Sequence, residues 1–182
     1  NTDEEFVAAA EALKSEGAQQ LVFDLRNNPG GAHDSVVAML DYLLPEGPIV
    51  RVTDKNGTVV ETYTSDEETK CELPMAVLTN GNSASASELF TSALLDYDMA
   101  FTVGTKTYGK GTVLTIFPLS NGGALIISTY LYNPPFSENF EGSGIAPGVE
   151  VIIDEATNIY LLNDETDLQL IRAVQELDLR AG

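Results

Sequence analysis

Short apolar runs, each followed by a loop of small residues and then by an amphipathic helix, recur along the first half of the chain. The run Leu21–Phe23 leads into a loop rich in Asn, Pro and Gly, and the run Met75–Thr79 leads into residues 80–83. Apolar side chains at helical spacing follow each loop, from about Asp34 to Leu44 and from Ser85 to Tyr97. Continuous apolar runs are typical of strands buried on both faces of a parallel sheet. The pattern therefore predicts strand–loop–helix units in an α/β fold.

Helices at both ends and several alternating strands complete the predicted fold. Asn56-Gly57 separates two alternating runs and predicts a β-hairpin within residues 49–64. Further strands are predicted at residues 101–103, 112–119, 124–132 and 149–153. The last helix is predicted to begin at a capping box of Thr166 and Gln169 and to bury Leu170, Val174 and Leu177. We expect one domain over residues 1–182, with a mainly parallel sheet, β-hairpins and helices packed around them.

The charge balance disfavours some classes of partner. The 182 residues carry 9 basic and 28 acidic side chains, a formal net charge of −19. This excess repels phosphate backbones and anionic lipid surfaces, so we expect no nucleic-acid or membrane-surface partner. No apolar run approaches the length of about 18 residues that a membrane-spanning helix needs. The single Cys71 and the single His33 provide neither a disulfide nor a cluster of histidine ligands, and we expect no metal or cofactor.

Loops that follow strands are where active sites of open α/β folds gather, and residues 26–31, 80–85 and 104–111 are three such loops. Ser85 lies at a predicted helix start, where backbone N–H groups and the positive end of the helix dipole stabilise an alkoxide or oxyanion. The same residue also begins Ser85-Ala-Ser-Glu88, which is the sequence of a capping box. Serines that cap helices greatly outnumber nucleophiles, so the segment alone leaves both interpretations open.

The other two loops carry weaker signals. Lys110 lies between two glycines. Most lysines are solvated surface charges, and a lysine acts as a base only where its surroundings bring its pKa toward neutrality. A Gly-Lys-Gly turn beside a helix start is one such environment. Asn28–Gly31 is either a plain tight turn or a source of backbone N–H groups for an oxyanion.

Taken together, these segments resemble the C-terminal processing (tail-specific) peptidases, a family of Ser–Lys serine proteases. The resemblance covers nearly the whole chain and is carried, in the family's order, by Leu21–Gly31, Ala76–Glu88, Val103–Val113 and Gly144–Pro147. It implies a Clp-protease/crotonase-like fold of stacked βαβ units. It also implies an endopeptidase that cleaves polypeptides near their C-termini without a cofactor, in an extracytoplasmic or membrane-anchored setting of the bacterial cell envelope.

The resemblance assigns roles to individual residues. It implies Ser85 as the nucleophile and Lys110 as its general base. The oxyanion hole would consist of the backbone N–H groups of Ala86 and of Gly30 or Gly31. The neighbouring Ser83 and Ser87 become supporting residues.

Two departures from the family pattern affect these expectations. Leu114 stands where the family places a glutamine whose amide orients the lysine. Either Thr112 or a backbone carbonyl takes over that role, or the chain is slow, inactive or a binding module for peptide tails or apolar ligands. The upstream PDZ domain of the family is also missing, and the start at Asn1 is expected of a fragment. The sequence does not indicate an oligomeric state.

Overall fold

Four α-helices and two four-stranded sheets form the part of the chain that the computed structural model describes, residues 2–66, 71–154 and 156–181. The helices are α1 (Thr2–Ser15), α2 (His33–Leu43), α3 (Ala86–Asp96) and α4 (Leu168–Ala181). The strands are β1 (Leu21–Asp24), β2 (Gly47–Thr53), β3 (Val59–Ser65), β4 (Met75–Thr79), β5 (Ala100–Gly104), β6 (Thr112–Pro118), β7 (Ala124–Asn133) and β8 (Val149–Glu150). None of these helices has the length and apolar character needed to cross a bilayer.

The first sheet is parallel throughout, with the strand order β1-β4-β5-β8. Strand β4 is buried at all five positions because helices cover both faces. Met75 and Val77 join the core that includes residues of α1, α2 and α3, whereas Ala76 and Leu78 pack with Ala173 and other residues of α4. An apolar run without alternation is therefore what this strand requires, and the predicted mainly parallel α/β fold is confirmed.

The second sheet is antiparallel, with the order β3-β2-β7-β6. The predicted hairpin at Asn56-Gly57 is present, and Gly57 has a φ of 80° in its turn. Strand β7 pairs with β2 only over Leu131–Asn133, so its first part pairs with β6 alone. This β6–β7 ribbon exposes apolar side chains at Ile116, Phe117, Leu125, Ile126 and Ile127. Strands β6 and β3 are the two edges of this sheet.

Three predicted features near the C-terminus are wrong. The cap of α4 is Asp167, whose Oδ1 accepts the backbone N–H groups of Gln169 (3.1 Å) and Leu170 (3.2 Å). The Gln169 side chain instead donates to the Val151 carbonyl (2.7 Å). The helix buries Ala173 in place of Val174, which is 41% exposed. Strand β8 ends at Glu150 rather than at residue 153, because its partner β5 ends at Gly104.

A buried arginine explains the change of cap. Arg26 donates to both carboxylate oxygens of Asp167 (3.0 and 2.6 Å) and to Gln169 Oε1 (3.0 Å). It also bonds both oxygens of Asp24 (2.9 and 2.6 Å). Burial raises the pKa of Asp167, but the hydrogen bonds from Arg26 and the backbone outweigh it and hold that pKa below its usual range. The network fixes the loop after β1 to the start of α4.

Candidate active site

The three loops predicted to carry chemistry meet at one edge of the parallel sheet. They follow β1, β4 and β5, which are adjacent, so their carboxyl ends lie side by side. The Ser83 hydroxyl donates to the Leu25 carbonyl (2.7 Å) and accepts the Asn80 N–H (3.0 Å). The Ser87 hydroxyl donates to the Asn28 carbonyl (3.1 Å). The two serines expected to support the site therefore bind the second loop to the first.

Ser85 occupies a sharp turn between β4 and α3. Its backbone has φ 56° and ψ −117°. This conformation costs a residue other than glycine about 1–3 kcal/mol relative to the common backbone conformations. Its N–H donates to Glu88 Oε2 (2.9 Å), so the carboxylate half of the predicted capping interaction is present. A serine held on a strained strand-to-helix turn is also the geometry of a nucleophile elbow. The capping and nucleophile interpretations are therefore compatible.

Glu88 links the serine loop to the lysine loop. The side chain is fully buried, and its Oε1 accepts the Thr107 hydroxyl (2.5 Å) and the Gly109 N–H (2.7 Å). Its Oε2 accepts the Lys110 N–H (2.8 Å) in addition to that of Ser85. All four partners are donors, as an ionised carboxylate requires. The sequence indicated Glu88 only as part of a helix cap. The signal that could have indicated its burial is the run of small residues that precedes this acidic residue.

Most of the predicted site residues surround one cavity of about 250 Å³. Its lining consists of Gly31, His33, Ser85, Ala86, Leu89, Lys110, Thr112, Leu114 and Tyr132. No hydrogen bond joins the Ser85 hydroxyl to the Lys110 amine, and that amine has no hydrogen bond or ion pair with any residue the structure describes. The Thr112 hydroxyl likewise has no partner among those residues, so its role in orienting the lysine stays a prediction.

The predicted oxyanion donors differ in availability. The Gly30 N–H donates to Asn28 Oδ1 (2.9 Å). The N–H groups of Gly31 and Ala86 have no hydrogen-bond partner in the described parts of the chain, and both residues line the cavity beside Ser85. Gly31 and Ala86 therefore have the N–H groups that remain available for an oxyanion, while Gly30 lies close to the serine turn.

Gly30→Ala is expected to lower kcat/KM by about 10- to 100-fold, because small displacements of a reacting group carry penalties of this size. A Cβ at Gly30 would lie 2.7 Å from the Ala84 carbonyl oxygen and 2.8 Å from the Ala86 nitrogen, and φ there is 94°. Steady-state cleavage kinetics measure the effect. Gly57→Ala is the matched control, since φ there is 80° and its Cβ meets nothing within 4 Å. Equal rates for the two variants would contradict a role for the close approach of Gly30 to the serine turn.

A second cavity, of about 300 Å³, adjoins the first. It shares Gly31 and Ala86 with the serine cavity, and its apolar wall consists of Leu25, Val36, Met39 and Phe90. The antiparallel sheet contributes the opposite wall of the serine cavity through Thr112, Leu114 and Tyr132.

Comparison with known proteins places the chain among peptidases. The model of peptidase family S41 matches residues 1–151. A carboxyl-terminal-processing protease of Picosynechococcus is 33% identical over 177 residues, which cover 97% of this chain and 42% of the relative. A carboxyl-terminal-processing protease of Synechocystis is 34% identical over 182 residues, which cover 100% of this chain and 42% of the relative.

The solved structure of a photosystem II D1 C-terminal processing protease has a TM-score of 0.78 and 31% identity, and the match covers 84% of this chain and 39% of that one. The expected Clp-protease-like fold is thereby confirmed. This chain spans about 42% of the length of the curated relatives it matches. Since the family match extends over most of the chain and these relatives exceed 30% identity, the chain belongs to peptidase family S41, a family of serine-type peptidases that includes the carboxyl-terminal-processing proteases.

Proposed function

We propose that this chain is the catalytic part of a serine endopeptidase that cleaves polypeptides near their C-termini, with Ser85 as nucleophile and Lys110 as general base. The supporting observation is the single cavity that Ser85 and Lys110 line together with the free N–H groups of Gly31 and Ala86. A nucleophile, a base and a pair of oxyanion donors around one space are the minimum that acyl transfer needs.

The residues act in a fixed order. The Lys110 amine, in its neutral form, takes the proton of the Ser85 hydroxyl as the oxygen attacks the peptide carbonyl. The N–H groups of Gly31 and Ala86 hold the negative oxygen of the tetrahedral intermediate. The lysine ammonium then gives its proton to the leaving amine, and an ester on Ser85 remains. Water, deprotonated by the same amine, hydrolyses the ester and regenerates the hydroxyl.

Two features favour an extended, apolar substrate. The cavity lined by Leu25, Val36, Met39 and Phe90 accepts an apolar side chain beside the scissile carbonyl. Strand β6 begins two residues after Lys110, and its outer edge is unpaired in the described structure. A substrate segment can add to such an edge as a further strand. The net charge of −19 disfavours acidic tails.

Leu114 favours a second candidate function, a binding module that holds peptide tails without cleaving them. Its side chain lines the serine cavity and offers no hydrogen bond to the lysine. The retained Ser85 and Lys110 favour the peptidase, because tail binding alone requires neither.

The test is incubation of the protein with an unfolded polypeptide that ends in an apolar tail. We expect cleavage near the C-terminus, seen as new product masses, and a fluorophosphonate adduct that peptide mapping places on Ser85. The same polypeptide with an acidic tail is the matched control and should be cleaved more slowly. Binding of the apolar tail without product or adduct would support the binding module and overturn the peptidase.

A further inference from the structure

His33, the only histidine of the chain, is held in a defined orientation at the first residue of α2. Its ring stacks on Tyr132 with centroids 4.8 Å apart and planes at 10°, and it meets Tyr63 edge-on at 4.5 Å. The side chain is 16% exposed. Both tyrosines belong to the antiparallel sheet. This sheet therefore packs against the side chain at the start of α2.

One ring nitrogen of His33, Nε2, is buried and has no hydrogen-bond partner among the described residues. Its Nδ1 lies 3.4 Å from Asp34 Oδ1. A buried nitrogen without a partner costs about 1–3 kcal/mol, so an unpaired group of this kind is expected to have a function.

The Lys110 amine, in turn, lacks a hydrogen-bond acceptor among the described residues. It is half-buried and has no acidic partner in residues 2–66, 71–154 and 156–181, although the chain has a large excess of carboxylates. His33 and Lys110 line the same cavity of about 250 Å³. Leu114, also on that wall, cannot accept a hydrogen bond. Of the residues that line this cavity, His33 thus has a ring nitrogen without a donor and Lys110 has an amine without an acceptor among the described residues.

We propose that His33 is the positioning residue of Lys110, with its Nε2 accepting a hydrogen bond from the lysine amine. The inference rests on the proposed peptidase function. A neutral amine must direct its lone pair at the Ser85 hydroxyl, and an acceptor for one of its N–H groups fixes that orientation. The neutral tautomer with the proton on Nδ1, facing Asp34, leaves Nε2 free to accept.

The kinetic test first removes the ring nitrogens of His33 and then introduces a different hydrogen-bond acceptor into the cavity. His33→Phe keeps an aromatic ring against Tyr132 and is expected to lower kcat by about 10- to 100-fold, part of what a positioned base contributes, with KM little changed. Adding Leu114→Gln to His33→Phe should restore most of the rate, since an amide oxygen then enters the same cavity. A purely structural role for His33 would not be rescued in this way.

Thr112→Val tests the alternative candidate for orienting the lysine, because Thr112 is another polar side chain of the cavity wall. Loss of activity in Thr112→Val together with full activity in His33→Phe would overturn the proposal in favour of the threonine. Wild-type protein that neither cleaves the apolar-tailed polypeptide nor reacts with the fluorophosphonate would instead contradict the proposed function. The measurement that follows does not depend on catalytic activity.

Nitrogen NMR of the imidazole tests the contact without catalysis. With one histidine in the chain, the ring signals are unambiguous, and they can be recorded in the Ser85→Ala protein. We expect Lys110→Met to shift the Nε2 resonance, while Lys106→Met, which changes an exposed lysine of the same loop, leaves it in place. An Nε2 resonance unaffected by Lys110→Met would overturn the proposal.

Discussion

Ser85→Ala is expected to lower kcat/KM for peptide cleavage by about 10⁴-fold or more, leaving only the rate that the oxyanion donors and substrate binding supply. Lys110→Met, which keeps the length of the side chain but removes the amine, should have an effect of similar size. The double variant should be no slower than either single variant, because a nucleophile and its base act as a unit. Steady-state cleavage of the apolar-tailed substrate measures all three.

Two controls separate lost chemistry from lost structure. Lys106→Met changes an exposed lysine of the same loop and should cleave at the wild-type rate. Ser85→Gly removes a side chain from a backbone with φ 56°, so it should be more stable than Ser85→Ala and equally inactive. Substantial cleavage by Ser85→Gly or Lys110→Met would contradict the Ser–Lys assignment.

The parts of the fold that the sequence predicted depend on local pattern. Met75–Thr79 is apolar without interruption because helices cover both faces of β4, and that pattern is visible without the structure. The gathering of the three loops followed from the same prediction, since the carboxyl ends of adjacent parallel strands share an edge. The free edge of β6 was not predicted, because sheet order depends on how distant strands pair.

The errors depend on contacts between distant residues. Thr166 and Gln169 have the sequence of a capping box, but Arg26, 141 residues from Asp167, draws both Asp167 and the Gln169 side chain into one network. Nothing near residue 166 in the sequence indicates that arginine. The hydrogen bond from the Gly30 N–H to Asn28 Oδ1 is, by contrast, a local contact, and only the folded turn reveals it.

The candidate site also contains residues that local sequence indicated and residues whose contacts come from distant parts of the chain. Sequence motifs indicated Ser85 and Lys110, while His33 served only to exclude a cluster of histidine ligands. Its burial depends on Tyr63 and Tyr132, which reach it from the antiparallel sheet. The four bonds of Glu88 likewise include partners 19 to 22 residues further along the chain. Residues proposed to react are thus easier to predict from the sequence than residues proposed to hold them in place.

Glu88→Gln is expected to lower the free energy of unfolding by about 2–3 kcal/mol and kcat/KM by about 100-fold. An amide has one acceptor where the carboxylate has two, so at least one buried N–H that Glu88 now binds loses its partner. The Thr107 hydroxyl can rotate to accept from the new amide, but a backbone N–H cannot. Denaturant unfolding and the rate at which the fluorophosphonate phosphonylates Ser85 measure the two effects separately.

Glu141→Gln is the matched control, because Glu141 Oε2 accepts a backbone N–H from Gly111 (2.6 Å) in the same region but has none of the bonds to the Ser85 turn. We expect it to be phosphonylated within a few-fold of the wild-type rate. Glu88→Ala removes all four bonds and is expected to destabilise the fold further, which makes the glutamine variant the informative one. If Glu88→Gln lost stability but kept the wild-type phosphonylation rate, Glu88 would support the fold without positioning the nucleophile and its base.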